Sequence, residues 1–250
     1  FMSGGSRGIG LEIAKRCAAD GANIAIAAKT ASPHPKLSGT IYTASKEIEG
    51  LGGKALPIVC DIRNEEAVDN AISSCVKQFG GIDICINNAS AVSPTPTTLT
   101  PMKRYDLMNE VNARGTFMLS QKCHPHLKKA ENPHIVNIAP PLDMDKRWFR
   151  NHTAYTMAKY GMSMCTLGMA EEFRKDGIAV NSLWPMTSID TAAVRNILGG
   201  DSMAKMSRLP TIMADAMYEL VTKPANEITG QFLIDEFVLA ESGETNFNKY

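Results

Sequence analysis

Short apolar runs alternate with amphipathic segments along this chain of 250 residues, and the alternation restricts the folds that it can adopt. The runs are continuous and rich in Ile and Val, which is typical of parallel strands covered by helices on both faces. They lie at residues 24–28, 55–60, 82–86, 135–138, 179–183 and 231–234. Helical spacing of apolar residues is found at residues 10–20, 41–51, 65–79, 103–129, 154–175 and 211–222. The alternation predicts an α/β fold with a doubly wound parallel sheet and helices on both faces.

The composition excludes several classes of protein. Hydrophobic residues make up 44% and charged residues 21%, which is close to the average for globular domains and predicts a single domain over residues 1–250. A formal net charge of +0 argues against nucleic acid as a partner. We expect neither a transmembrane segment nor a signal peptide, and no metal site. The six cysteines form no CxxC pair, so we expect buried free thiols in a reducing, intracellular compartment.

A glycine-rich turn precedes the first helical pattern. Gly4, Gly8 and Gly10 follow one another in a GxxxGxG spacing. Glycine permits a tight turn and a close approach of the backbone to an anion, and the following helix would point its free N–H groups at a pyrophosphate. The alternative is a flexible terminal linker. The strand and crossover that follow at the expected distance favour a dinucleotide site.

A tyrosine and a lysine are four residues apart at Tyr155 and Lys159. On a helix these positions share a face, so the phenol and the ammonium can meet. We expect the lysine cation to lower the pKa of the phenol, which would make it a proton donor and acceptor near neutral pH. The same spacing occurs at Tyr42 and Lys46, but these follow the second strand, and we interpret them as structural.

These motifs, with the segment Asn87-Asn88-Ala89-Ser90, resemble the short-chain dehydrogenase/reductase family over nearly the whole chain. The resemblance implies a Rossmann-type fold, a nicotinamide cofactor and hydride transfer. It implies catalytic roles for Tyr155 and Lys159, and a role for Asn112 in positioning a water on the proton relay. It further implies that the cofactor contacts Gly4, Ser6, Arg7, Gly8, Ile9, Gly10, Asp61, Ile62, Asn88, Ala89, Tyr155, Lys159, Pro185, Ile189 and Thr191.

The first strand of such a fold is incomplete in this sequence. Only Phe1 and Met2 precede the glycine turn as apolar residues. We therefore expect a truncated first strand, and a natural protein that begins further upstream.

The end of the second strand indicates which nucleotide is bound. An NAD enzyme needs an acidic side chain there for the ribose hydroxyls, but this position holds Lys29. A cation suits a 2′-phosphate, and Arg7 in the glycine turn is a second candidate. We predict NADP(H) as the cofactor. The alternative is that Lys29 is a solvated surface lysine.

One position departs from the family pattern. The resemblance places a serine after the fifth strand, where it would donate a hydrogen bond to the substrate oxygen, but this chain has Pro140. Losing one such hydrogen bond costs about 1.5–3 kcal/mol, so activity would be reduced rather than abolished. Ser90, Thr187 and Ser188 follow neighbouring strands, and any of them could supply the missing hydroxyl.

The segments after the fifth and sixth strands should form the wall of a substrate pocket. They contribute Leu142, Met144, Trp148, Phe149, Met186 and Leu198. Such a wall suits a small lipophilic alcohol or carbonyl compound, of fatty-acyl or sterol-like character. The same residues could instead cover the core or an oligomer contact. The resemblance also implies a homo-oligomer, a dimer or tetramer.

Three functions are compatible with these observations. The first is an NADP(H)-dependent oxidoreductase, the second is a catalytically weak or inactive NADP(H)-binding scaffold in lipid metabolism, and the third is a lipid-handling module. Within the family, residues 30–57 and 155–173 are similar to members that occur in peroxisomes and mitochondria. That similarity implies a peroxisomal or mitochondrial location.

Overall fold

A parallel sheet of seven strands runs through the computed structural model, which describes residues 1–35 and 37–250. The strands are β1 (Met2–Ser3), β2 (Asn23–Ala28), β3 (Lys54–Val59), β4 (Ile84–Asn87), β5 (His134–Asn137), β6 (Ala179–Trp184) and β7 (Phe232–Ile234). Their order in the sheet is β3-β2-β1-β4-β5-β6-β7. The direction of chain progression therefore reverses between β1 and β4, and a crevice opens at the carboxyl ends of these strands.

Helices connect the strands and cover both faces of the sheet. They are α1 (Gly8–Ala18), α2 (Ile41–Glu49), α3 (Glu65–Phe79), α4 (Met102–Met108), α5 (Gly115–Leu127), α6 (Thr153–Glu172), α7 (Gly200–Ala204), α8 (Thr211–Thr222) and α9 (Asp235–Glu241). One buried core contains residues from α1, α2 and α8, and a second contains residues from α3 and α5. The Rossmann-type α/β fold predicted from the sequence is confirmed.

The first strand is as short as the sequence indicated. Met2 pairs with Ile26 on one side and with Ile86 on the other, so two residues suffice to join the two halves of the sheet. The amino group of Phe1 extends this contact by donating a hydrogen bond to the carbonyl oxygen of Ile84 at 2.8 Å.

Two boundaries differ from the sequence-based prediction. The sequence predicts a single helix over residues 103–129. In the structure a π-helical turn at Asn109–Arg114, which is wider than an α-helical turn, separates α4 from α5. The segment 186–210, which none of the strand or helix ranges read from the sequence covers, contains α7 and a second π-helical turn at Val194–Leu198. Residue 36, between β2 and α2, lies outside the described residues.

Local signals explain where several helices begin and end. Thr40 and Thr43 exchange side-chain and backbone hydrogen bonds at the start of α2, and Asn64 accepts one from the N–H of Ala67 at the start of α3. Helix α3 ends at Gly80, whose φ of 88° is in the left-handed region. Throughout the described ranges, every helix is too short or too polar to cross a bilayer.

A chain of buried hydrogen bonds fixes α6 to the sheet. Asn87 Nδ2 donates to Ser120 Oγ at 2.9 Å and to Asn137 Oδ1 at 2.8 Å. Asn137 Nδ2 in turn donates to Thr166 Oγ1 at 2.7 Å, and the Thr166 and Ser182 hydroxyls are 2.7 Å apart. All five side chains are buried, so this network positions β4, β5, β6, α5 and α6 relative to one another.

Candidate active site

The glycine turn between β1 and α1 forms a cradle that larger side chains would fill. A Cβ on Gly4 would lie 2.7 Å from Asn88 Nδ2, and one on Gly10 would lie 2.5 Å from the same atom. Gly8 has a φ of 59° and starts α1, whose first turn has no acidic residue and no side-chain cap. The exposed backbone N–H groups and the positive end of the helix therefore suit the pyrophosphate of a dinucleotide.

The loop after β4 supports this cradle from the other side. Asn88 Nδ2 donates to the carbonyl oxygen of Ser3 at 3.2 Å, and the N–H of Ala89 donates to Ser3 Oγ at 3.2 Å. On a third side, a Cβ on Gly8 would lie 3.4 Å from Thr191 Cγ2, so the segment after β6 closes against the glycine turn. Three loops, each following a strand, thus enclose one space.

This space is a cavity of about 1090 Å³ with a mostly apolar lining. Twelve of the residues predicted to bind the cofactor or to act in catalysis contribute to the lining: Gly4, Ser6, Arg7, Gly8, Ile9, Asn88, Ala89, Tyr155, Lys159, Pro185, Ile189 and Thr191. Five other predicted residues lie outside it: Gly10, Lys29, Asp61, Ile62 and Asn112. The glycine turn and the tyrosine–lysine pair therefore line the same cavity.

Tyr155 and Lys159 lie one turn apart in the first half of α6. Lys159 is 4% exposed, and its Nζ donates to the carbonyl oxygen of Ile138 at 2.8 Å and lies 5.3 Å from the centre of the Trp184 ring. Burial lowers the pKa of Lys159 to about 7. Burial also raises the pKa of Tyr155 to about 12. The expectation that Lys159 lowers the pKa of Tyr155 is therefore wrong for the protein alone, because the loss of hydration dominates at both groups.

Asn112 lies within the π-helical turn and is fully buried. Its Oδ1 accepts a hydrogen bond from the N–H of Ala91 at 2.8 Å, and its Nδ2 donates to the carbonyl oxygen of Ala91 at 3.0 Å. The side chain thus holds the loop after β4 through both of its polar atoms.

The two candidate cations for a 2′-phosphate differ in position and pairing, because Arg7 lines the cavity and Lys29 does not. Lys29 Nζ lies 3.6 Å from Asp61 Oδ2, and the pKa of Asp61 is lowered to about 2, chiefly by its hydrogen bonds from Arg63. Arg7 Nη2 donates to the carbonyl oxygen of Gly39 at 2.7 Å, while Arg7 Nε is buried without a partner among the described residues. The incomplete pairing of Arg7 leaves it able to bind an anion.

Pro140 lines the cavity, and its carbonyl oxygen accepts a hydrogen bond from Ser163 Oγ at 2.7 Å. All three residues proposed to replace the missing hydroxyl line the same cavity. However, Thr187 Oγ1 donates to the carbonyl oxygen of Ser188 at 3.2 Å. Ser188 Oγ is 2.7 Å from Ser207 Oγ, whose own hydrogen goes to the Met203 carbonyl, so Ser188 is the donor in this pair. Of these three residues, Ser90 alone has a hydroxyl hydrogen that no acceptor among the described residues takes up.

The residues after β5 and β6 that line the cavity differ in part from the prediction. Trp148, Met186 and Leu198 line the cavity, but Leu142, Met144 and Phe149 do not. The loop turns because the Tyr160 hydroxyl bonds the backbone of Asp143, and the Phe149 ring packs edge-on against Tyr160 at 5.4 Å. Met144 instead faces outward with 74% exposure.

Two polar residues of this region escaped the sequence analysis. His152 lines the cavity three positions before Tyr155. Asp235 is fully buried at the start of α9, and its Oδ1 accepts hydrogen bonds at 2.8 Å from the N–H groups of Met186 and Glu236. Proximity to Tyr155 could have indicated His152, whereas the contact of Asp235 with the segment after β6 depends on tertiary structure.

Comparison with known proteins supports this description. The family model "short chain dehydrogenase" matches residues 1–199. The chain is 57% identical over 250 residues to hydroxysteroid dehydrogenase-like protein 2 of Danio rerio and 56% identical to that of Homo sapiens. The matched region is 100% of this chain but only 60% and 59% of the two relatives, so the chain spans about three fifths of their length. A crystal structure of a short-chain dehydrogenase from Mycobacterium thermoresistibile superposes with a TM-score of 0.94 at 56% identity, covering 100% of this chain and 89% of that one.

Proposed function

The chain belongs to the short-chain dehydrogenase family, and we propose that it is an NADP(H)-dependent oxidoreductase acting on a lipophilic alcohol and the corresponding carbonyl compound. The observation that carries the proposal is that Tyr155 and Lys159 line the same cavity as the glycine turn. A dinucleotide bound to that turn would extend along the crevice toward α6. The tyrosine and lysine would then meet its reactive end.

The residues of this chain would divide the chemistry between them. Bound NADP(H) would supply or accept the hydride. Tyr155 Oη would give a proton to the carbonyl oxygen during reduction and take it from the alcohol during oxidation. Lys159 Nζ, now bonded to the Ile138 carbonyl, would hold the ribose hydroxyls and favour the phenolate when protonated. Asn112 would keep the loop after β4 in place.

The preference for NADP(H) over NAD(H) is supported by charge. Lys29 stands where an NAD enzyme needs an acid, and Arg7 contributes a second cation beside the glycine turn. Asp61 partly neutralises Lys29, so Arg7 would provide the larger share of the attraction for a 2′-phosphate. Asp61 and Ile62 would flank the adenine at the end of β3.

A lipophilic substrate is supported by the apolar lining around Trp148, Met186 and Leu198.

A homo-oligomer is supported by apolar side chains exposed on α5 and α6. Phe117, Met164 and Leu167 are 52%, 59% and 57% exposed. We also propose that residues 1–250 constitute one dehydrogenase domain. A role in lipid metabolism in peroxisomes or mitochondria stays a prediction that rests on the family resemblance of residues 30–57 and 155–173.

A second function is favoured by one observation. Pro140 replaces the family serine, and the hydroxyls of Thr187 and Ser188 are committed to other acceptors. A chain with this defect could bind NADP(H) as a scaffold with little or no turnover.

Two measurements on the 250-residue chain distinguish these functions. Titrations followed by cofactor fluorescence should show NADPH binding at least about tenfold more tightly than NADH, since a charge-assisted hydrogen bond contributes about 1.5–3 kcal/mol. Tighter binding of NADH would overturn the assignment of the cofactor. A panel of apolar ketones with NADPH should then give turnover by the wild-type chain and none above background by Tyr155→Phe. Equal rates for the two proteins, with NADPH bound to both, would establish the scaffold instead.

A further inference from the structure

His152 is a polar group in the cavity to which the proposed reaction assigns no role. It directly precedes α6 and is half-buried in the cavity wall. Its Nδ1 lies 3.0 Å from Thr156 Oγ1. Its Nε2 makes no hydrogen bond within the described residues and is not among their buried unpaired atoms, so this nitrogen is accessible.

The hydrogen bonds around Thr156 decide which ring nitrogen carries the hydrogen. The Thr156 hydroxyl donates to the carbonyl oxygen of Trp148, an atom that can only accept. A hydroxyl has one hydrogen, so Thr156 Oγ1 must act as the acceptor toward His152. The neutral imidazole therefore carries its hydrogen on Nδ1, and Nε2 presents a lone pair.

We infer that His152 makes this site select the alcohol member of the substrate pair, by accepting a hydrogen bond from the substrate hydroxyl at Nε2. An alcohol oxygen can donate its hydrogen to Nε2 and accept one from the Tyr155 hydroxyl. A carbonyl oxygen carries no hydrogen to donate. It would therefore form no hydrogen bond with Nε2, and the lone pairs of the two atoms would repel each other.

The loss of the family serine strengthens this preference. Pro140 has no hydrogen to donate, and the hydroxyl hydrogens of Thr187 and Ser188 are directed to the Ser188 carbonyl and to Ser207. Apart from Tyr155, the only uncommitted hydroxyl among these candidates is Ser90, which lies in the loop after β4. Among these groups of the cavity lining, the balance of donors and acceptors thus favours a ligand that brings its own hydrogen. The inference rests on the proposed function, because it concerns the same cavity.

The test compares a shape-matched pair, cyclooctanol and cyclooctanone, by ligand-observed NMR titration of the full chain. Cyclooctanol is titrated with NADPH and cyclooctanone with NADP⁺, so neither complex can react, and both titrations are repeated without nucleotide. The ratio of the two dissociation constants is then compared between variants, which cancels the effect of the cofactor state.

In the wild-type chain we expect cyclooctanol to bind about fivefold more tightly than cyclooctanone, which corresponds to one neutral hydrogen bond. His152→Phe preserves an aromatic ring without an acceptor and should bring the ratio to about one. Thr156→Val removes the acceptor that holds the hydrogen on Nδ1, so the ring can present an Nε2–H, and the affinity for the ketone should rise. His126→Phe, the same substitution at a histidine of α5 outside the cavity lining, is the control and should leave the preference for the alcohol in place.

An unchanged ratio in His152→Phe, or a wild-type chain that prefers the ketone, would overturn the inference. Thr156→Val keeps His152 itself, so this variant decides the matter if His152→Phe fails to fold. A chain that binds no NADPH would refute the proposed function, while the ratio measured without nucleotide would still report on His152.

Discussion

Lys159 Nζ donates a hydrogen bond to the carbonyl oxygen of Ile138 at 2.8 Å, which ties the first half of α6 to the residue that follows β5. This bond, together with a weaker contact from Nζ to Met162 Sδ at 3.5 Å, holds the ammonium at the carboxyl edge of the sheet. Within the described residues no carboxylate pairs with it, and its burial is nearly complete. Because the buried ammonium has lost its hydration, the pKa of Lys159 is lowered.

The contribution of Lys159 to the stability of the chain should increase with pH above neutrality. Folding lowers the pKa of Lys159 from 10.5 to about 7. Between these values the unfolded chain binds more protons at this site than the folded chain does, so the free energy of unfolding rises with pH by up to about 1.4 kcal/mol per pH unit. Urea unfolding at pH 7, 8 and 9 should show this slope for the wild-type chain relative to Lys159→Met.

Tyr155 acts in the opposite direction and at higher pH. Its pKa is raised from 10.0 to about 12 on folding, so it contributes stability below pH 10 that is lost as the pH rises toward 12. Up to pH 9 Tyr155 therefore adds little slope, and the buried cysteines, whose pKa values are also raised by burial, contribute equally to the wild-type chain and to Lys159→Met, so the difference between the two proteins reports on the lysine. Parallel pH profiles for the wild-type chain and Lys159→Met would contradict the depressed pKa.

Pro140→Ser should increase the rate of ketone reduction. It places a hydroxyl where the family has its serine, and one hydrogen bond to a developing charge corresponds to about a tenfold to hundredfold change in rate. The gain should appear in kcat/KM with NADPH and an apolar ketone. It should vanish when Tyr155→Phe is added, because the new hydroxyl assists the proton transfer but does not replace it. A gain that persists in the double variant would show that the serine acts by another route.

Arg7→Ala should weaken NADPH binding more than Lys29→Ala does. Arg7 lines the cavity and has an unpartnered Nε, whereas Lys29 has 59% of its side chain exposed and already faces Asp61. We expect about a tenfold loss for Arg7→Ala and a few-fold loss for Lys29→Ala, with little change in NADH affinity for either variant. Lys54→Ala, at the amino end of β3 and so away from the carboxyl edge of the sheet, is the matched control for loss of a positive charge. Equal losses of NADPH and NADH affinity would show that neither residue recognises the 2′-phosphate.

Gly10→Ala should damage the cofactor cradle. The added Cβ would lie 2.5 Å from Asn88 Nδ2 and 2.9 Å from Gly5 Cα, so the turn or the loop after β4 must shift. We expect a loss of thermal stability and of NADPH affinity. Gly168→Ala is a matched control in helix α6, where the new methyl group meets nothing within 4 Å. That variant should gain up to about 1 kcal/mol, because alanine is the better helix former. Normal NADPH affinity in Gly10→Ala would contradict the close approach.

The sequence carried enough information for the layout of the fold but not for the electrostatics of the site. Apolar periodicity located the strands, and the four-residue spacing of Tyr155 and Lys159 placed both on one face of α6. The direction of the pKa shift at Tyr155 was mispredicted, because it depends on burial by segments that are distant in the sequence. Likewise, no local pattern indicates that Asp235 holds the N–H of Met186, since the contact exists only once β6 and β7 have paired.

The buried hydrogen bonds that join Asn87, Asn137 and Thr166 have a consequence for how this scaffold can diversify. They fix the helix bearing Tyr155 from beneath, through atoms that no ligand reaches. Changes in the loops that line the cavity can therefore alter its shape while Tyr155 keeps its place. Substitutions in the loops after β5 and β6 could then change which ligands the cavity admits without moving α6.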